Sequence, residues 1–421
     1  NEKLHFRMQD EYQQVNEQSI PCDFILEPFG RNTAPAVLSA ALFAKQAYSE
    51  DEILLIFPAD HLITQTAEFA KVVADAIDMA KNGYLVTFGI NPEYPETGYG
   101  YIEADTSRKI NSGYAVKRFV EKPDLALATQ YIESGNYQWN SGMFCGQVKT
   151  FVQEFEKLSH NVTKQVQHCL ELSKVSQLGN SKIIHLDAAT FIHAENISVD
   201  YALFEKTDKA AVIPCSIGWS DIGSWLSIAQ TLPQDKFGNA TIGESILHDV
   251  SDCLVYSTSR IVAGVDIKDL VIVDTPDALL VANKNKTQDV KHIFESLKKS
   301  QHKTSDLHAT IHRPWGTVTI LEEGPFYRIN RLVVKPSQAL SNQSHEHRSE
   351  HWIVLEGEAT VINDGKILKL SVNQSTYISP REKHRLMNAS NEESLIIIEV
   401  QCGNSVGEDD IIRYDDLYGR S

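Results

Sequence analysis

Apolar and polar positions change rhythm along the chain. Near the start, "DEILLIFPADH" (Asp51 to His61) is a short, wholly apolar run that ends in a polar turn, the pattern of a strand covered on both faces. Before it, "TAPAVLSAALFAKQAY" predicts a helix with Thr33 as N-cap and Pro35 in its first turn. After it, "EFAKVVADAIDMAKNG" has helical spacing up to Gly83, and "YLVTFGI" reads as the next strand. This alternation predicts an open, mostly parallel sheet whose ligands bind beyond the carboxyl ends of the strands, where Asp60 lies. From Gly238 to Asn283 the rhythm shortens to β-branched runs ("CLVYSTS", "RIVAGVDI", "LVIVDT", "ALLVAN") separated by polar turns, which predicts a small all-β unit. A helix, "TQDVKHIFESLKKS", closes it, and the polar "QHKTSDLHAT" (Gln301 to Thr310) reads as a linker. From Arg313 apolar and polar residues alternate, with a hairpin turn at Asp364-Gly365, so the last region reads as a small antiparallel barrel.

Composition narrows the classes. The chain has 421 residues, 42% hydrophobic, which suits about two to four ordinary domains. No apolar run is long enough to span a bilayer and the polar first residues hold no signal-peptide core, so the expected setting is cytoplasmic. A formal charge of -17 without a Lys/Arg block argues against a nucleic-acid partner. The six cysteines are scattered and never in CxxC, so reduced thiols rather than a disulfide framework are expected. The sequence opens at Asn1 without Met, and a preceding segment is expected.

Candidate chemistry sits at the ends of the predicted elements. "LEPFGRNTAPA" places Glu27, Arg31, Asn32 and Thr33 before a helix N-terminus, where free amides favour a phosphate or a polar ring; the plainer reading is a capped helix with a surface arginine. Asp60 in "FPADH" and Asp221 in "GWSDIGSW" are two carboxylates in turns that could share a hard cation, unless each only caps its own backbone. "PETGYGYIE", "RFVEKP" and "WNSGMF" supply Gly98, Glu121, Lys122 and Asn140, the mixture of carboxylate, amide, lysine and glycine that sugar hydroxyls and a phosphate call for.

Taken in order, "EPFGRNTAPA", "FPADH", "ETGYGYIE", "FVEKP", "WNSGMF", "SVDYALFEK" and "GWSDIGSW" closely resemble mannose-1-phosphate guanylyltransferases. The resemblance implies an α/β architecture: a Rossmann-like nucleotidyltransferase domain (residues 1–232) and a short β-helix with its closing helix (233–300). It places Glu27, Arg31, Asn32, Thr33 and Asp60 at the guanine nucleotide, and Asp60 and Asp221 on Mg²⁺. Gly98, Glu121, Lys122 and Asn140 would hold mannose 1-phosphate, with Asp60, Lys122 and Asp221 as the catalytic group. Mannose 1-phosphate and GTP would give GDP-mannose and pyrophosphate, a transfer that needs alignment and charge neutralisation rather than a covalent nucleophile. The family also opens with a Gly-rich loop bearing an arginine, and no GxGxxR pattern occurs in this sequence. Weak or no guanylyltransferase activity is therefore expected of residues 1–421 alone.

"NQSHEHRSEHW" and "TYISPREKHRLMN" space Gln343, His345, Glu350, Gly357, His384 and Asn388 in a way similar to the two cupin motifs, with Gln343 where a histidine is usual. Ser337 and Arg381 stand where cupins usually have glycine. With "RPWG", "EHWIVLEGEA" and "EDDIIRYDDLYGR", the last region resembles type II mannose-6-phosphate isomerase domains, so a C-terminal cupin β-barrel (313–421) is expected after a linker (301–312). Two imidazoles, a carboxylate and an amide oxygen suit Zn²⁺ or another divalent metal, able to polarise the carbonyl of mannose 6-phosphate. Arg413 or, better by resemblance, Arg420 would meet the phosphate, whereas His347 and His351 are expected at the surface or behind the ligands. The leading expectation is an enzyme of GDP-mannose supply acting as a homodimer. Its alternatives are a chain active only as the metal-dependent isomerase and a non-catalytic sugar-nucleotide binding module.

Overall fold

The apolar run Leu85–Ile90 forms a strand buried at every position, as its composition requires. In the computed structural model, which describes residues 4–120, 122–178, 181–300, 302, 304 and 310–415, it is central to a six-stranded sheet. The order is Ile53–Ile56, Tyr137–Gln147, Leu85–Ile90, Ala210–Cys215, Gly113–Val120, Tyr101–Ile110. Only the pairing of Ala210–Cys215 with Leu85–Ile90 is parallel in this sheet; every other pairing is antiparallel. The expected mostly parallel sheet is thereby corrected. Tyr101–Ile110 and Gly113–Val120 are joined by a tight turn rather than a crossover helix, and Tyr137–Gln147 runs back between two strands that a βαβ pattern would set side by side.

Helices cover both faces. Thr33–Ala47 and Val148–Leu158 pack one side through Leu38, Ala41, Phe151 and Phe155, where Phe144 of the sheet stacks on Phe204 at 4.1 Å. Thr66–Lys81 covers the other through Ala76 and Met79 against Phe88. The N-cap of Thr33–Ala47 is Asn32, not Thr33 as the sequence suggested: the Asn32 side chain accepts from Thr33 N, while the Thr33 hydroxyl accepts from Val199 N at 2.9 Å. Phe24–Leu26 joins a separate small sheet by pairing parallel with Ser181–His185. These elements form one unit, essentially Gln18–Thr231.

The second unit comprises Phe6–Glu17 and the chain from Leu232 onward. Its first part is the expected β-helix, in which Ala240–Ile242, Leu254–Ser257 and Leu270–Asp274 stack in parallel, as do Ser245–Ser251 and Val262–Lys268. Its second is a barrel of a six-stranded and a five-stranded sheet around Trp352, Val361, Leu386 and Ile397. Asn363 pairs with Lys366 across Asp364 and Gly365, both at positive φ (45° and 79°), so the predicted hairpin turn is present. Barrel pairing begins at Thr310–Arg313, inside the stretch expected to be linker, much of which lies outside the described residues. Helix His5–Val15, expected within the nucleotidyltransferase domain, lies largely in this second unit: Asp10 accepts from Lys335 Nζ and sits 3.4 Å from His312 Nδ1. Among the described residues no helix is long and apolar enough to cross a membrane.

Candidate active sites

In the first unit, two pairs of residues bring distant turns together. Leu62–Ile63 pairs antiparallel with Trp219–Ser220, so the turns holding Asp60 and Asp221 meet around His61. Trp219 Nε1 donates to His61 Nδ1 at 3.1 Å. Burial pulls the His61 pKa down, against the nearby charges of Asp60 and Asp221. Tyr99 donates its hydroxyl to Asp221 Oδ1 at 2.8 Å, leaving Oδ2 for another partner; burial and then this bond push the phenol pKa far up. The Tyr99 ring touches those of both Trp219 and Trp139, each at 5.3 Å between centroids. Tyr99, with Trp139 against its ring, therefore adjoins Asp221, and Gly98 and Asn140 are the chain neighbours of this pair.

Asn140 is held from two sides. Its Oδ1 accepts from Gly142 N at 3.1 Å and its Nδ2 donates to Asp200 Oδ1 at 2.7 Å. Asp200 begins a π-helical turn, Asp200–Phe204, and burial raises its pKa despite the Asn140 bond. Val199, one residue earlier, is the group that reaches Thr33, so the α-helical N-terminus and the Asn140 amide share one support. Beside it, the Arg31 guanidinium lies 5.2 Å over the Phe29 ring and donates to Ile192 O. Glu27 is half-buried with Oε1 unpartnered, and burial raises its pKa.

Backbone strain marks the same loops. Asn32 has φ 64° and ψ -170°, a region almost reserved for glycine, and Lys122 (φ 43°) and the β-branched Ile222 (φ 49°) are also left-handed. Glu121 lies outside the described residues.

In the barrel, His345, Glu350 and His384 offer ligand atoms within 4.8 Å of one another, all buried. Gln343 pairs directly with His384 and is two residues from His345, so its side chain is on the same face. The His345 and His384 Nδ1 atoms contact the carbonyls of Asp410 (3.4 Å) and Glu382 (2.9 Å). A carbonyl only accepts, so at the shorter contact the His384 Nδ1 carries the proton and its Nε2 turns a lone pair inward. Both Nε2 atoms lack a hydrogen-bond partner, although His345 Nε2 is 2.9 Å from Glu350 Oε1. Two imidazole nitrogens and a carboxylate converging in this way fit a divalent metal. Burial opposes the Glu350 charge, but His345, His384 and Arg348 outweigh it and hold the carboxyl well below its usual range. His347 instead reaches Asp410 from the surface, at 2.8 Å.

A cavity opens beside these residues, and Arg313, Arg328, Arg348, Arg413, Glu399 and Gln401 are among those lining it. Of these the sequence offered only Arg413, from its place near the chain end; the other arginines lie on strands whose alternation gave no sign of which face they occupy. Arg420 lies outside the described residues. Asp200 and Tyr99 were likewise missed as supports, although both stand inside motifs that the resemblance rests on.

Comparison with known proteins agrees with this division. The nucleotidyl transferase family model matches residues 1–236, a MannoseP isomerase/GMP-like beta-helix domain matches 243–297, and the mannose-6-phosphate isomerase C-terminal model matches 300–416. The chain is 41% identical over its whole length to the alginate biosynthesis protein AlgA of Pseudomonas aeruginosa, covering 86% of that protein. It is 38% identical to a mannose-1-phosphate guanylyltransferase of Salmonella montevideo, covering 100% of this chain and 88% of the relative. A crystal structure from Thermus thermophilus, described as a mannose-1-phosphate geranyltransferase, superposes with a TM-score of 0.57 at 29% identity, over 65% of this chain and 77% of that one. The chain therefore belongs to the mannose-1-phosphate guanylyltransferase family whose members join a nucleotidyltransferase domain to a mannose-6-phosphate isomerase C-terminal domain.

Proposed function

We propose that the first unit transfers a guanylyl group from GTP to mannose 1-phosphate, giving GDP-mannose and pyrophosphate. The observation that supports this reading is the strand pairing of Leu62–Ile63 with Trp219–Ser220, which joins the turns that hold Asp60 and Asp221, with Tyr99 bonded to Asp221. A phosphate oxygen of the sugar phosphate attacks the α-phosphorus, the bond to the β-phosphate oxygen breaks, and pyrophosphate leaves with that electron pair. The free Oε1 of Glu27 suits the N–H edge of guanine, and the helix start at Asn32 and Thr33 suits anionic oxygens. Asn140, with Gly98, Glu121 and Lys122, orients the sugar and its phosphate. Asp60 and Asp221 would hold Mg²⁺, which when bound neutralises phosphate charge. GTP supply fits a cytoplasmic setting.

For the barrel we propose interconversion of mannose 6-phosphate and fructose 6-phosphate. The converging ligand atoms of His345, His384 and Glu350, with Gln343 on the same face, support Zn²⁺ or a similar ion, which when bound polarises the sugar carbonyl. Arg328 and Arg413, which line the cavity, and Arg420, by resemblance alone, are the cations offered to the phosphate.

The direct test is pyrophosphate release from GTP with and without mannose 1-phosphate, alongside a coupled assay from mannose 6-phosphate. Release that depends on the sugar phosphate supports the first activity. Neither signal, with GDP-mannose still bound, would replace both readings by a binding module.

A further inference from the structure

The barrel wall formed by Tyr327–Val334, Leu395–Gly403 and Arg348–Glu356 can be read in cross-strand rows. Leu332, Ile397 and Val354 make an apolar row, as a barrel interior should. The next row is Asn330, Glu399 and Trp352, and the one after is Arg328, Gln401 and Glu350. Asn330, Glu399 and Gln401 are only 3%, 5% and 6% exposed, and all three line the cavity beside the candidate metal ligands.

Their donors are used and their acceptors are not. Asn330 Nδ2 donates to Glu399 Oε2 at 2.7 Å, and Gln401 Nε2 donates to Glu399 Oε2 at 3.0 Å and to Glu350 Oε1 at 3.2 Å. Asn330 Oδ1 and Gln401 Oε1 are buried without a protein hydrogen-bond partner. Burying an unpaired amide oxygen is costly, and an apolar residue in the same row would avoid that cost. Support of Glu350 explains the Gln401 amine but not Asn330, nor either free oxygen.

We infer that Asn330 Oδ1 and Gln401 Oε1, whose amides are held by the Glu399 carboxyl between them, form a hydroxyl-receiving subsite for the carbon chain of an open-chain sugar phosphate. Hydroxyl groups are donors, and these oxygens are the acceptors left over once the wall has satisfied its own N–H groups. Arginines on the same cavity take the phosphate of the ligand. This rests on the reading of the barrel as a sugar-phosphate site and adds which residues grip the hydroxyls.

The test is calorimetric binding to the full chain, incubated with Zn²⁺, of mannitol 6-phosphate, which is open-chain and cannot isomerise, and of inorganic phosphate. Asn330→Leu and Gln401→Met keep, respectively, the branching and the length of the side chain without the amide, and each leaves Glu399 two donors, one of them Trp352 Nε1. Wild type should prefer the hexitol phosphate, and each variant should lose on the order of tenfold on it while binding phosphate as before. Preference retained in both variants would overturn the subsite and leave the sugar-phosphate reading standing. No preference in wild type would overturn that reading and the subsite with it. Equal loss on both ligands would assign these residues to barrel packing, against the inference.

Discussion

Asp200 carries a charge that burial makes costly. Its raised pKa means the native state takes up a proton before the unfolded chain does, so the penalty is full above the raised value and vanishes below the ordinary aspartate value of 3.8. Asp200→Asn should therefore raise the melting temperature of the first unit at pH 7, and the gain should shrink as pH falls towards 4. A variant less stable than wild type at pH 7 would show that the charge is needed by the fold. The same substitution should weaken GDP-mannose binding only mildly, because an amide oxygen can still accept from Asn140. In the barrel, Ser337 and Arg381 adopt φ of 59° and 72°, which is the physical reason glycine is usual there. Ser337→Gly should stabilise the barrel by up to about 1 kcal/mol in urea titrations, a gain that would be absent if the site tolerated its Cβ freely. These positions were legible because a glycine requirement leaves a mark in sequence. Asp200 left none: its partner, Asn140, is 60 residues away, and an acidic residue opening an apolar run reads as an ordinary helix start.

At the level of elements, two-residue strands matter more than their length suggests. Leu62–Ile63 and Trp219–Ser220 were invisible to periodicity, which needs several residues to show, yet they join the two aspartate turns. Gly218 sits next to that pairing at φ 62°, and a Cβ there would meet Thr64 Oγ1 at 1.9 Å. Gly218→Ala should therefore cut guanylyl transfer by at least about tenfold while the β-helix and barrel melt as before, since roughly 1–2 kcal/mol of strain falls on this junction alone. Unchanged transfer would mean that the pairing does not position Asp60 and Asp221. The long buried strands and helices were legible from their runs and spacing. Strand direction was not, because an apolar run carries no signal of whether its neighbour is parallel. The docking of His5–Val15 was also hidden, since it depends on Asp10 meeting Lys335 and His312 about three hundred positions later.

Across the whole molecule the two chemistries occupy separate units, so they should fail separately. His384→Ala should abolish the isomerase signal and lower bound metal at least about tenfold, leaving pyrophosphate release unchanged. Joint loss would contradict the division. We also propose a homodimer. Helix Val290–Lys299 has no buried residue and exposes Ile293 (54%) and Phe294 (50%), a face that a second copy would cover. Sedimentation of wild type against Ile293→Ser/Phe294→Ser tests this, with a monomeric wild type as the adverse result. The division into three regions was open to reading because each has its own hydrophobic rhythm, whereas the support within each site comes from contacts far apart in sequence. The central claim is that Asp60, Asn140 and Asp221 serve one sugar-nucleotide site. Calorimetric titration of GDP-mannose with Mg²⁺ tests it most directly: wild type should bind one ligand in the first unit, and Asp60→Asn, Asn140→Ala and Asp221→Asn should each weaken it by about tenfold or more. Binding left intact in any two of these variants would contradict it.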